Sequence, residues 1–159
     1  MKKSVVAVFG LSLLSACVSA PREPMTAAGP DFLVRNAAVK KVVTTASGLQ
    51  YYVLASGPKG GRSPIDGDEV NFDYEGKLTN GETFDSSFAR GKPLVGGVGD
   101  FVPGFTEALK LMKPGDDWIV WIPPALGYGA RATGPIPANS VLRFRMALHG
   151  VIPAPAPAL

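Results

Sequence analysis

Apolar and polar positions alternate along much of the chain from residue 49 onward. Leu49, Tyr51 and Val53 share one face of a strand. Val70, Phe72 and Tyr74 do the same, with Asn71, Asp73 and Glu75 opposite. A period of two marks half-buried strands, because successive side chains point to opposite faces of a sheet. Thr79-Asn80-Gly81-Glu82 follows the second run and supplies an Asn-Gly hairpin turn. Residues 118–122, Trp-Ile-Val-Trp-Ile, are apolar on both faces and predict a central strand. In the last run Leu142, Phe144, Met146 and Leu148 alternate with Arg143, Arg145, Ala147 and His149, so that strand has one wet face.

One segment has a clear helical period. Pro103-Gly104 makes a turn, Phe105, Leu109 and Met112 follow at helical spacing, and Lys113-Pro114-Gly115 ends the run. A single short amphipathic helix with antiparallel strands is an α+β arrangement. The sheet is expected to curve around this helix, with any pocket lying between the two. Residues 31–43 read as a short helix and a lead-in segment. Asp31 would cap the helix, which runs from Phe32 to about Ala38 and has too few apolar positions to dock strongly. At the far end Pro153, Pro155 and Pro157 bar residues 153–159 from a sheet and predict an extended tail.

Composition adds exclusions. With 19 Gly and 15 Pro in 159 residues, turns are frequent, which favours β structure over a helical bundle. The formal charge is +3, but without Lys2 and Lys3 only 14 basic residues face 13 acidic ones. That is no footprint for nucleic acid, which needs a clustered basic face. The pair Arg143 and Arg145 reads as a solvated strand face. The only cysteine is Cys17, so neither an intramolecular disulfide nor a thiolate metal cluster can form. The only histidine, His149, falls on the polar face of the last strand and reads as a solvated surface residue. With no second His and no free thiol, a Ser-His or Cys-His hydrolase is excluded. Asp116-Asp117 reads as turn chemistry. Residues 96–99, Gly-Gly-Val-Gly, lack the Lys-Ser/Thr of a phosphate loop.

The chain begins with Lys2 and Lys3, a short apolar run over residues 5–14, and then Leu14-Ser15-Ala16-Cys17. The run is too short for a bilayer-spanning helix of ~20 residues. The tetrad resembles the bacterial lipoprotein signal motif. That resemblance implies a signal peptide over residues 1–16 and lipidation of Cys17, and residues 17–30, rich in Ala, Pro, Ser and Gly without a period, read as a flexible tether. Val18 after the Cys implies the outer membrane, facing the periplasm, as the place of anchoring.

The aromatic and turn residues of the folded part come in a specific order. Asp73-Tyr74-Glu75-Gly76 is followed by Asn80-Gly81-Glu82-Thr83-Phe84-Asp85-Ser86-Ser87, then by Val102-Pro103-Gly104-Phe105-Thr106-Glu107-Ala108-Leu109. Gly127-Tyr128-Gly129 and Ile136-Pro137-Ala138-Asn139-Ser140 complete the set. With Ser47-Gly48-Leu49-Gln50-Tyr51 upstream, this order resembles the FKBP-type peptidyl-prolyl isomerases. The resemblance covers residues 44–152 and implies that fold over them.

By the same resemblance Tyr74, Phe84, Val102, Tyr128 and Phe144 match the wall of the family's pocket, with Phe101 at a further apolar wall position. Asp85 matches the single acidic residue beside the pocket, which pairs with the tyrosine matching Tyr74. The Val102 N–H and the Tyr128 hydroxyl match the groups that hold peptide carbonyls. Tyr74, Asp85 and Tyr128 are thus the expected catalytic residues, and Phe84, Phe101, Val102, Phe105 and Phe144 the expected substrate-binding ones. Two positions depart from the pattern: Phe105 stands where Trp is usual on the pocket floor, and Gly96 where a wall Phe would align. The resemblance implies rotation of X–Pro bonds in folding envelope proteins, without covalent or acid–base chemistry, cofactor or metal. Expected partners are proline-containing polypeptides, macrolide inhibitors and the membrane, with the protein a monomer. The competing expectation is a proline-binding chaperone or assembly module with little turnover.

Overall fold

The computed structural model describes residues 30–155. The elements in chain order are helix α1 (Pro30–Ala37), strands β1 (Val43–Thr44), β2 (Gln50–Ala55), β3 (Glu69–Leu78) and β4 (Thr83–Ser86), and helix α2 (Ser87–Arg90). Strand β5 (Leu94–Gly97), helix α3 (Pro103–Leu111), β6 (Asp117–Ile122), a 3₁₀ turn (Pro124–Leu126) and β7 (Leu142–Ile152) follow. Seven strands form one sheet in the order β1-β2-β6-β7-β3-β4, and every pairing is antiparallel. The lower half of β3 also pairs with β5, so one edge of β3 serves two strands in succession.

The alternation read in the sequence becomes the two faces of this sheet. Val70, Phe72, Trp118, Val120, Ile122, Leu142, Phe144, Met146 and Leu148 are buried on one face. α3 lies against that face with Phe105, Ala108, Leu109 and Met112 in the same core. β6 is central, between β2 and β7, as its two apolar faces require. The Asn80-Gly81 turn joins β3 to β4. Gly81 has φ of 91°, its N–H donates to Leu78 O at 2.9 Å, and the Leu78 N–H donates to Glu82 O at 2.8 Å. The Asp116 carboxylate accepts the N–H groups of Lys113 and Gly57, at 2.9 and 2.7 Å, which fixes the turn after α3.

Several expectations need correction. The described residues contain three α-helices: α3 fills the core, α1 is the short helix expected near residues 32–38, and α2 was not expected. α2 is a four-residue turn of helix, capped by the Ser86 hydroxyl and ended by Gly91 at φ 65°. α1 starts at Pro30, so Asp31 lies in its first turn instead of capping it, and the tether gives way to helix one residue early. An acid in the first turn still favours the helix through its dipole. Polar bonds hold α1 down: Gln50 donates to Leu33 O and accepts from Asn36 Nδ2, both at 2.8 Å. That clamp explains why Gln50 is buried. Val53 is exposed, where β2 loses register through a bulge between Val53 and Ala55. His149 is not simply solvated: its Nε2 lies 2.8 Å from Asp73 Oδ2 on the outer face. Arg145, on the same outer side, pairs with Asp117 at 2.6 Å and stacks over Phe88. The signal peptide, Cys17 and most of the tether lie outside the described residues, as do the last four residues of the tail.

Candidate functional site

Between α3 and the sheet lies an open cavity of about 520 Å³. Six stretches of chain supply its wall. β3 contributes Tyr74, β4 contributes Phe84 and Asp85, β5 contributes Leu94, and β7 contributes Phe144. The loop into α3 brings Asp100, Phe101 and Val102, and Phe105 follows one turn later at the floor. Tyr128 and residues 133–136 close the remaining side. All eight residues expected at the site from the sequence therefore lie around one cavity.

The floor and walls are a ring cluster. Phe105 is buried and meets Phe144 edge-on at a centroid distance of 5.1 Å and Tyr74 edge-on at 6.1 Å. It also lies 5.0 Å from Phe101, and Phe84 meets Phe144 edge-on at 5.5 Å. Edge-to-face packing sets the positive rim of one ring on the negative face of the next, so the arrangement holds itself open. Gly76 makes it possible. A Cβ there would stand 2.5 Å from Phe84 Cε2 and 2.7 Å from Phe144 Cε1. The Gly in Asp73-Tyr74-Glu75-Gly76 thus leaves room for two of the walls.

One polar cluster flanks the cavity. The Tyr74 hydroxyl donates to Asp85 Oδ2 at 2.5 Å. Arg90 Nη1 donates to Asp85 Oδ1, and Arg90 Nη2 to the Tyr74 hydroxyl at 3.0 Å. Burial alone would raise the Asp85 pKa, but the bonds from Tyr74 and Arg90 outweigh it and hold the carboxyl below its usual range. Burial, with the Asp85 carboxylate, pushes the Tyr74 phenol up. Both groups therefore keep their neutral-pH forms, phenol and carboxylate. Ser87 braces the cluster from behind: its hydroxyl donates to Asp73 Oδ1 at 2.6 Å and accepts the Tyr74 N–H at 2.9 Å.

Two donors at the cavity are unpartnered. Among the described residues, neither the Val102 N–H nor the Tyr128 hydroxyl has a hydrogen-bond partner, and both belong to lining residues. They remain available to a bound carbonyl. The loop that carries Tyr128 is fixed at its ends. Gly129 N–H donates to Pro124 O at 2.9 Å, Asn139 N–H donates to Gly129 O at 2.7 Å, and Thr133 and Ile136 exchange both backbone bonds.

Arg90, Leu94, Asp100 and residues 133–135 complete the lining and its polar flank without having been singled out from the sequence. For Arg90 a signal existed. Ser86 and Gly91 bracket it as cap and stop, which puts Arg90 in the last turn of a short helix, one turn from Asp85. His149 lies outside the cavity lining, and the cavity contains no Cys or His.

Comparison with known proteins identifies the family. The family described as "FKBP-type peptidyl-prolyl cis-trans isomerase" matches residues 60–149, and the "Domain amino terminal to FKBP-type peptidyl-prolyl isomerase" matches residues 15–53. The chain is 45% identical over 121 residues to the peptidyl-prolyl cis-trans isomerase Mip of Coxiella burnetii, a match covering 76% of this chain and 52% of that protein. It is 38% identical over 153 residues to the outer membrane protein MIP of Legionella longbeachae, covering 94% of this chain and 65% of that one. Among solved structures, FkpA from Escherichia coli is similar with a TM-score of 0.74 at 40% identity, over 79% of this chain and 58% of that chain. The chain spans about half to two thirds of the length of these relatives. More than half of its residues match the family, on a fold that gathers the motif residues around one cavity, and the chain belongs to the FKBP-type peptidyl-prolyl cis-trans isomerases.

Proposed function

We propose that the protein accelerates cis–trans rotation of X–Pro bonds by taking the bond into this cavity and stripping it of water. Resonance gives the X–Pro bond partial double character and a barrier of ~20 kcal/mol. Twisting the bond breaks that resonance and returns charge from the carbonyl oxygen. Water bonds best to the planar, polar form and so opposes the twist. An aromatic cavity removes the water and fits the proline ring, which favours the twisted, less polar state relative to the planar one.

The Val102 N–H and the Tyr128 hydroxyl hold the flanking carbonyls. Phe84, Phe101, Phe105 and Phe144 enclose the ring. Tyr74 and Asp85 shape the wall, and Asp85 acts as an organiser and a local field, with both oxygens already bonded. No proton moves to or from the enzyme. The observation that carries this reading is a cavity walled by six aromatic rings and lined by two free donors, with no Cys or His in its lining. A protease-coupled prolyl-peptide assay on protein lacking residues 1–17 tests it. A rate no higher than the uncatalysed background would sink the proposal.

The protein is further proposed to be an envelope lipoprotein, anchored through Cys17 in the outer membrane and facing the periplasm, where it acts as a monomer on folding polypeptides. The tetrad ending in Cys17 supports this, and a relative is named an outer membrane protein. Metabolic labelling with a fatty acid tests it, since Cys17→Ser should abolish incorporation. A second reading, a proline-binding chaperone with little turnover, draws support from Phe105, which keeps the floor apolar but brings no indole donor. Suppression of aggregation without isomerase activity, lost in Phe84→Ala, would favour it.

A further inference from the structure

The rim of the cavity carries a feature that rotation of the X–Pro bond does not use. Along β5, Leu94 lines the cavity, Val95 is exposed, and Gly96 returns to the cavity side without a side chain. The tip of the Phe101 ring sits over that bare backbone. A Cβ at Gly96 would lie 3.3 Å from Phe101 Cζ and 3.8 Å from Asp100 Oδ2. Ring and carboxylate are therefore neighbours, and both line the cavity. The carboxylate is held in place: Oδ2 accepts the Gly97 N–H at 2.8 Å, and the Asp100 N–H donates to Gly97 O at 3.1 Å. A Cβ at Gly97 would come within 2.9 Å of Oδ2, so the glycine is what admits it.

The charge balance around the cavity singles out this carboxylate. Asp85 has both oxygens engaged by Tyr74 and Arg90. Asp100 forms no ion pair among the described residues, and the other lining residues of the Tyr128 loop, Tyr128 and residues 133–136, are neutral, the loop's Arg131 lying outside the lining. An uncompensated negative charge thus stands beside an aromatic ring at the mouth. The group that satisfies both is a lysine or arginine side chain, with its charged head on the carboxylate and its stem on the ring.

We propose that Asp100, Phe101 and the bare backbone of Gly96 form a subsite for a basic side chain flanking the proline, so that the protein favours substrates with Lys or Arg next to the X–Pro bond. This rests on the isomerase reading of the same cavity. An ion pair at an open rim is worth roughly a two- to fivefold preference, more at low salt.

The test is exchange NMR with the full chain on short prolyl peptides carrying Leu, Lys or Glu either before or after the proline. In at least one series the Lys peptide should exceed the Glu peptide severalfold in kcat/KM. That ratio should fall toward one in Asp100→Asn and in about 0.5 M salt. Asn keeps an acceptor for the Gly97 N–H, and a ratio is insensitive to any loss of folded protein. Equal turnover of Lys and Glu peptides by the wild type in both series, or a ratio unchanged in Asp100→Asn, overturns the subsite while Leu turnover leaves the isomerase reading standing. If no peptide is turned over, the isomerase reading falls first. The Lys and Glu peptides are then compared as ligands by chemical-shift titration, and equal affinities overturn the subsite too.

Discussion

Asp85 has one oxygen bonded to Tyr74 and the other to Arg90. Such a carboxylate is occupied, and the role proposed for it is to fix the Tyr74 ring and the field beside it. Tyr128 differs, because its hydroxyl has no described partner and is free for a substrate carbonyl. Tyr128→Phe should therefore lower kcat/KM by roughly two- to tenfold, the worth of one hydrogen bond, and leave the melting temperature nearly unchanged. Asp85→Asn should also reduce turnover more than stability. Peptide assays and thermal melts on the same preparations check both, and equal losses of folding and activity would mark either residue as structural. Gly76→Ala acts through space instead. Its Cβ would press into Phe84 and Phe144, costing about 1–3 kcal/mol and closing the cavity, so turnover and stability should fall together. At this scale the aromatic walls were legible because their motifs recur at fixed spacing. Asp100 was not, because its position at the mouth depends on a turn between two glycines, and periodicity carries no trace of that.

Elements are where the sequence speaks most directly. The alternation of β3 and β7 and the two apolar faces of β6 translate into the observed sheet, because burying one face of each strand is what the pattern encodes. α3 follows from its spacing: Phe105, Ala108, Leu109 and Met112 all reach the core. Leu109→Ala should cost about 2–5 kcal/mol in denaturant melts, since Leu109 is fully buried between helix and sheet. Because Leu109 does not line the cavity, that variant should lose activity only through loss of folded protein. Other features escaped the pattern, β5 among them, because Leu94-Val95-Gly96-Gly97 is too short and too Gly-rich to alternate. α2 is too short to show a period, and only its Ser86 cap and Gly91 stop announce it. The attachment of α1 depends on the Gln50 side chain, a polar residue on a strand face where the alternation offers no sign of burial.

Across the whole molecule the ionisable groups divide into those that hold the fold and those that flank the cavity, and pH separates the two. Asp68 is buried and accepts bonds from Arg62 and from the backbone N–H groups of Ile65 and Ala154, tying the β2–β3 connection to the chain end. The Arg62 bond, with those backbone N–H groups, holds its carboxyl far below the usual range. For Asp73, bonds from Ser87 and His149 together outweigh burial and lower it as well. With Asp85, three carboxyls are more acidic folded than unfolded. Their stabilisation is complete above the unfolded value near 3.9 and is lost as pH falls through each folded value. Stability in urea should therefore hold steady down to about pH 5 and drop steeply below about 4. At the alkaline end Tyr74 reverses the sign. Its raised pKa contributes stability that is complete below about 10 and is lost as pH climbs through the folded value. Between these limits the Tyr74–Asp85 pair keeps its protonation, and the proposed chemistry transfers no proton. The rate should then be nearly flat from about pH 6 to 8. A steep bell centred near 7 would contradict catalysis by desolvation.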